Sequence, residues 1–213
     1  MLEAISAATE SLLRTAAAFS DEDVREPSLL PGWTRGHVLT HIARNADGGT
    51  RLLTWARTGV ETPEYPSMAA RAAEIEAGHA RPAAELADDV RDSAARFATA
   101  YHAVPPEAWT RPLRWTSGKQ RPASRAADSR LTEVLIHHVD LRAGFHPADW
   151  PPDFVHRMLA DVIAAFRARP GPHLIALDTG AVQGSETDLL AWLLGRSPGT
   201  GLTGDLPPVP FLY

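Results

Sequence analysis

The chain has 213 residues, 44% hydrophobic and 22% charged, with a formal charge of −5. With no cysteine it cannot form a disulfide framework, a cysteine zinc finger, an iron–sulfur cluster or a thiol nucleophile of its own. The mild acidity argues against a nucleic-acid surface, and no apolar run nears the ~20 residues that span a membrane. The acidic start, with Glu3, Glu10 and Asp21-Glu22-Asp23, does not read as a signal peptide, so a cytoplasmic protein is expected.

Apolar spacing predicts a first helix over Leu2–Phe19. After the turns at Glu26-Pro27-Ser28 and Leu30-Pro31-Gly32, Thr34 is a candidate N-cap for a helix running to Thr58 and stopped by Gly59. Gly48-Gly49 inside it either weakens the helix or marks close packing. Glu61–Pro66 reads as a loop, and two helices follow over Met68–Ala77 and Pro82–His102, with Pro82 suited to the first turn. Thr110–Ser129, broken by Pro112, Gly118 and Pro122, is expected to be irregular. A helix over Ser129–Ala143 closes at Gly144, and Pro147–Pro152 is the best domain boundary. Beyond it come a helix over Pro152–Ala168, a strand over His173–Leu177, a helix over Asp188–Leu194 ending at Gly195, and a proline-interrupted tail over Leu206–Tyr213.

Two stretches carry chemistry. In Ser129–Leu141, Glu133, His137 and Asp140 fall within about 60° of one another on a helix. Leu131, Val134, Leu135 and Leu141 take the other sides. Such a helix is buried with its polar stripe facing a partner or cavity, and burying these groups is costly unless they are paired or bind a cation. In Gly36–Asn45, His37, His41 and Arg44 again share a face. Two facing helices can therefore bring His41 to Glu133 and His137, a donor set suited to Zn²⁺ with a fourth position open. By spacing alone, an ordinary helix contact between Glu133 and His137 is the commoner outcome. His37 reads better as a cap or core histidine, His138 as structural, and Asp140 as a carboxylate orienting a histidine or a plain salt-bridge partner.

The stretch Leu30–Asn45 resembles the metal-binding N-terminal motif of the mycothiol-dependent maleylpyruvate isomerases. The similarity continues through Trp55–Tyr65, Arg71–Gly78, Pro122–Ser124, Glu133–Leu141 and Leu194–Arg196, in order along most of the chain. The resemblance implies an α+β protein: a DinB-like four-helix bundle over residues 1–148 and a small C-terminal α/β domain over 149–213. It implies His41, Glu133 and His137 as ligands of Zn²⁺ or another divalent metal, mycothiol as cofactor, and Arg71 and Arg196 as catalytic arginines. Taken alone, either arginine reads as a surface residue. The segment between Leu177 and Ser185 is shorter than such a domain leads one to expect, which bears on where Arg196 falls.

The implied reaction is the cis–trans isomerisation of maleylpyruvate to fumarylpyruvate, in which a thiolate adds to the double bond, permits rotation, and leaves. A chain without cysteine has to import that thiol. A thiol with a pKa near about 8.5 is only a few per cent ionised at neutral pH, and binding to a metal deprotonates it. The two carboxylates of the substrate suit arginine's planar fork. Two other readings keep the same bundle: a different zinc- and mycothiol-dependent S-transfer, or a non-catalytic metal- or ligand-binding module. A third leaves the Glu/His stripes merely paired in the core.

Overall fold

The computed structural model describes residues 1–167 and 180–209. Helix α1 (Leu2–Ala17) stops two residues short of Phe19 because Ala18 and Phe19 tighten into three-residue turns on the Thr15 and Ala16 carbonyls. Helix α2 (Arg35–Thr58) begins at the expected cap. The Thr34 hydroxyl accepts the His37 amide, and Nδ1 of His37 accepts the Thr34 amide at 3.1 Å. His37 thus fills the place a glutamate takes in the usual reciprocal cap. Gly59, at φ 74°, ends the helix as a left-handed residue.

Helices α3 (Met68–Gly78) and α4 (Ala83–His102) follow, with Pro82 at the cap position of α4 rather than inside its first turn. The stretch expected to be irregular holds a hairpin, β1 (Pro112–Arg114) with β2 (Gln120–Pro122), pairing Leu113 with Arg121. Helix α5 (Arg125–Asp140) then starts four residues earlier than Ser129. The Ala123 and Ser124 amides bond back to Arg111 and Trp109, turning the chain straight into the helix. It ends before Ala143 because Arg142 takes a left-handed φ of 52°.

The chain forms two compact units, Met1–Ala143 and Gly144–Tyr213. In the first, α1, α2, α4 and α5 make a four-helix bundle in which α2 and α1 each pack on both α4 and α5, while α3 lies on α2. The glycine pair inside α2 marks close packing: a Cβ on Gly49 would stand 2.7 Å from the Phe97 ring of α4. Arg35, the first residue of α2, donates from Nε to the Leu141 carbonyl at 2.8 Å and from Nη2 to the Arg142 carbonyl at 3.3 Å. The Leu29 amide takes the Asp140 carbonyl at 2.8 Å. These bonds satisfy carbonyls at the C-terminal end of α5 and tie it to the start of α2.

In the second unit, α6 (Pro152–Arg167) packs on α7 (Glu186–Leu193), and β3 (Val182–Gln183) pairs with β4 (Thr203–Gly204), two short strands with no clear sequence signal. The expected strand over His173–Leu177 lies outside the described residues. Helix α7 starts two residues before Asp188, on the Ser185 cap. The chain is α+β. No described helix is long and apolar enough to cross a membrane.

Candidate metal centre

The tie at Arg35 places the first two turns of α2 opposite the last two of α5. Across that junction, Nε2 of His41 lies 2.8 Å from Oε2 of Glu133 and 3.0 Å from Nε2 of His137, which is itself 3.2 Å from the same Oε2. Both histidines are buried, and Glu133 is nearly so. The rings stand edge to face, with an interplanar angle of 84°. Around a tetrahedral zinc with bonds of about 2.0–2.1 Å, ligand atoms stand about 3.3 Å apart. The three atoms therefore need to open by only a few tenths of an ångström to admit an ion, and two imidazoles with one carboxylate are a donor set zinc accepts.

The surroundings of the two rings differ. Nδ1 of His137 lies 2.7 Å from Oδ2 of the fully buried Asp140, so the ring donates its Nδ1 proton there and aims Nε2 at the triad. Burial pulls the His137 pKa down, but hydrogen bonds to Asp140 and Glu133 outweigh it and lift the value to about 9. Burial pushes the His41 pKa down to about 4, with Glu133 opposing and His137 and Arg71 adding to the fall. Burial would raise Glu133, yet the hydrogen bonds from His137 and His41 hold its carboxyl well below the usual range.

Arg71, on the first turns of α3, places Nη2 2.9 Å from Nδ1 of His41. Its guanidinium also lies 5.8 Å from the centre of the Tyr65 ring, and burial drives the Tyr65 hydroxyl pKa up. Trp33, from the turn before α2, sets its ring 5.6 Å from His41 and 6.0 Å from His37. Neither Tyr65 nor Trp33 stands out in the sequence as a neighbour of the triad; Trp33's place one residue before the α2 cap is the one signal that could have found it.

The other marked residues fall as follows. Asp140 is the carboxylate that orients His137. His138 is structural: buried, with Nε2 2.8 Å from the Thr15 hydroxyl of α1. Arg196 belongs to the second unit. There Gly195, at φ 72°, closes α7 with two backbone bonds, Gly195 amide to the Trp192 carbonyl and Arg196 amide to the Ala191 carbonyl. The side chain is folded in rather than exposed, and Nη1 donates to the Leu194 carbonyl at 2.7 Å.

A second cluster, His37, Glu76 and His79, also brings three donor atoms near one another. Its rings stack at 3.7 Å with only 14° between their planes. Ring lone pairs lie in the ring planes, so those of a stacked pair run parallel and do not converge on one ion. The edge-to-face pair of the first cluster does converge.

A helical bundle with an inward His/Glu/His set shared by two facing helices belongs to the class of metal-binding bundles. Within that class, the family profile of the mycothiol maleylpyruvate isomerase N-terminal domain matches residues 5–142, and the chain belongs to this family. Among solved structures it is similar to the mycothiol-dependent maleylpyruvate isomerase, with 28% identity and a TM-score of 0.91 over 99% of this chain and 95% of that one. A histidine-to-alanine mutant of that isomerase matches with the same identity and coverage and a TM-score of 0.90. Against curated protein sequences the chain finds no significant match.

Proposed function

We propose that the chain is a mycothiol-dependent maleylpyruvate isomerase in which His41, Glu133 and His137 hold a divalent cation, Zn²⁺ by the character of the donors. The observation that carries the reading is the meeting of those three donor atoms within 3.2 Å of one another, in a chain of this family. Bound there, the cation supplies a Lewis acid that keeps a coordinated thiol ionised at neutral pH, and mycothiol supplies that thiol.

The chain's own residues do the rest. Asp140 keeps the His137 proton on Nδ1, leaving Nε2 as a donor. Glu133 brings one negative charge, so the loaded site keeps a net positive charge that favours a thiolate. Arg71 sets a permanent cation beside the triad, where negative charge develops on the pyruvyl oxygen of the substrate. Arg196 is the second arginine of this reading, assigned to a substrate carboxylate on the sequence resemblance alone. The two domains of the reading are residues 1–148, which carry the metal, and 149–213, which carry Arg196. A thiol cofactor is kept reduced in the cytoplasm, and we place the protein there.

The test is the loss of maleylpyruvate absorbance, followed with untagged, zinc-loaded protein with and without mycothiol. Turnover only with the thiol is expected. His41→Ala should lose metal and turnover together, whereas Arg196→Ala should keep the metal and lose turnover. Zinc-loaded protein inactive in the presence of mycothiol would overturn the reading, and a fully active Arg196→Ala would remove that residue from it.

A further inference from the structure

Arg71 carries a permanent charge beside the triad, yet little in its own helix holds it there. Helix α3 has 11 residues, of which Ile75 alone is buried, and it packs on α2. The half-buried guanidinium donates to Nδ1 of His41, a neutral ring, and makes no ion pair among the described residues. Fixing an arginine side chain costs much of its rotamer freedom, and one bond to a neutral acceptor offsets only part of that loss.

Tyr65 supplies the missing restraint. Its side chain is 4% exposed, and the guanidinium carbon of Arg71 lies over its ring, 5.8 Å from the centre. The negative face of an aromatic ring attracts a guanidinium placed over it. The ring itself is pinned. Gly48 of α2 leaves space for it, because a Cβ there would stand 3.2 Å from Cζ of Tyr65. Gly48 comes about two turns after His41, so the ring is seated along the same side of α2 as the histidine. The neighbouring Glu64 is tied twice: its carbonyl accepts from Nη1 of Arg51 at 2.7 Å, and its Oε2 accepts the Thr116 amide, between β1 and β2, at 3.2 Å. We propose that Tyr65 is a positioning residue whose ring seats Arg71 beside His41. The inference rests on the part given to Arg71 in the isomerase reading, and zinc affinity, which needs no turnover, tests it separately.

Zinc affinity is read by competition with a chromophoric chelator, and turnover by the mycothiol-dependent assay. A guanidinium only donates, so beside Nδ1 it holds the His41 proton on Nε2 and opposes metal binding. Released from its seat, Arg71 leaves His41: Tyr65→Leu should bind zinc about three- to tenfold more tightly, the worth of a cation–π contact, and lose kcat by a like factor. Tyr65→Phe keeps the ring and should restore both values to within about twofold of the parent. In an Arg71→Met background, Tyr65→Leu should leave zinc affinity unchanged. A tyrosine that only props up the fold would weaken zinc on removal, with or without the arginine. Should Tyr65→Leu not fold, Tyr65→Met, with a flexible chain to fill the space, takes its place. Unchanged or weaker zinc binding in Tyr65→Leu, an equal change in the Arg71→Met background, or a Tyr65→Phe that behaves as Tyr65→Leu would each overturn the proposal. A parent protein without turnover would sink the isomerase reading, while the zinc comparison still decides the seat.

Discussion

Loading a divalent metal into the triad should expel one proton per ion at mildly acidic pH. With the pKa of His137 lifted to about 9 between Asp140 and Glu133, that ring is an imidazolium in the metal-free protein. His41, pushed down to about 4, is neutral, and Glu133 is ionised. A metal needs the Nε2 lone pair of His137, so that ring gives up a proton. His41 only moves its proton from one ring nitrogen to the other. At pH 6 the gap to a pKa of about 9 leaves His137 charged in about 999 molecules of 1,000, and apparent affinity should rise about tenfold per pH unit from there toward pH 9. Calorimetry at pH 6 in non-chelating buffers of different ionisation enthalpy reads the number directly, because the slope of heat against buffer enthalpy is the proton count. Working at pH 6 keeps a zinc-bound water, with a pKa of about 7 in a known site, from adding much of its own. A slope near one is expected, falling below one in Asp140→Asn. A slope near zero would refute the proton inventory, and a slope near two would mean that His41 is charged as well.

The same inventory fixes how the metal-free protein responds to pH. The raised His137 pKa contributes stability that is complete below about pH 6.5 and lost as pH climbs through about 9, up to about 3 kcal/mol, while the depressed His41 pKa costs stability as pH falls from about 6.5 toward 4. Chelator-treated protein should therefore melt highest near pH 6.5, and a Tm rising steadily to pH 9 would contradict it. Gly36→Ala should destabilise by about 1–2 kcal/mol: overpacking costs about 1–3 kcal/mol and the gain in helix propensity returns under 1. Its Cβ would press on the backbone carbonyl of His79, which cannot swing aside as a side chain could. A urea midpoint at or above that of the parent protein would show that the approach is looser than it looks.

The helices were legible because each carries its own period and stops: Thr34 and Gly59 bracket α2, and the Glu133/His137/Asp140 stripe marks the inward face of α5. Convergence of His41 with Glu133 and His137 was legible only as a possibility, since nothing in a one-dimensional pattern says which helix faces which. The register is set by Arg35 on the carbonyls of Leu141 and Arg142, just past the end of α5. That bond joins residues more than 100 positions apart, and no local signal announces it. The β1–β2 hairpin and the β3–β4 pair were missed because three- and two-residue strands offer no alternation to count, and β2 lies wholly exposed.

The two histidines of the triad are not equally ready for a metal, and Arg71 is the cause. A guanidinium can only donate, so its contact with Nδ1 of His41 fixes that ring's proton on Nε2, facing Glu133, where a metal would have to bind. Asp140 does the reverse for His137, accepting from Nδ1 and leaving Nε2 to the triad. Metal binding must therefore turn His41 to its other tautomer. Its new Nδ1–H cannot face a second donor, so Arg71 has to withdraw from that nitrogen, which frees its cation for the proposed reaction. Removing the arginine removes that opposition. Arg71→Met should bind zinc about tenfold more tightly, within the range such outer partners command, and release the same single proton while losing turnover. Competition against a chromophoric chelator measures the first effect and the mycothiol-dependent assay the second. A weaker zinc affinity in Arg71→Met would mean that the arginine supports the empty ligand set, and the withdrawal argued here would fail with it.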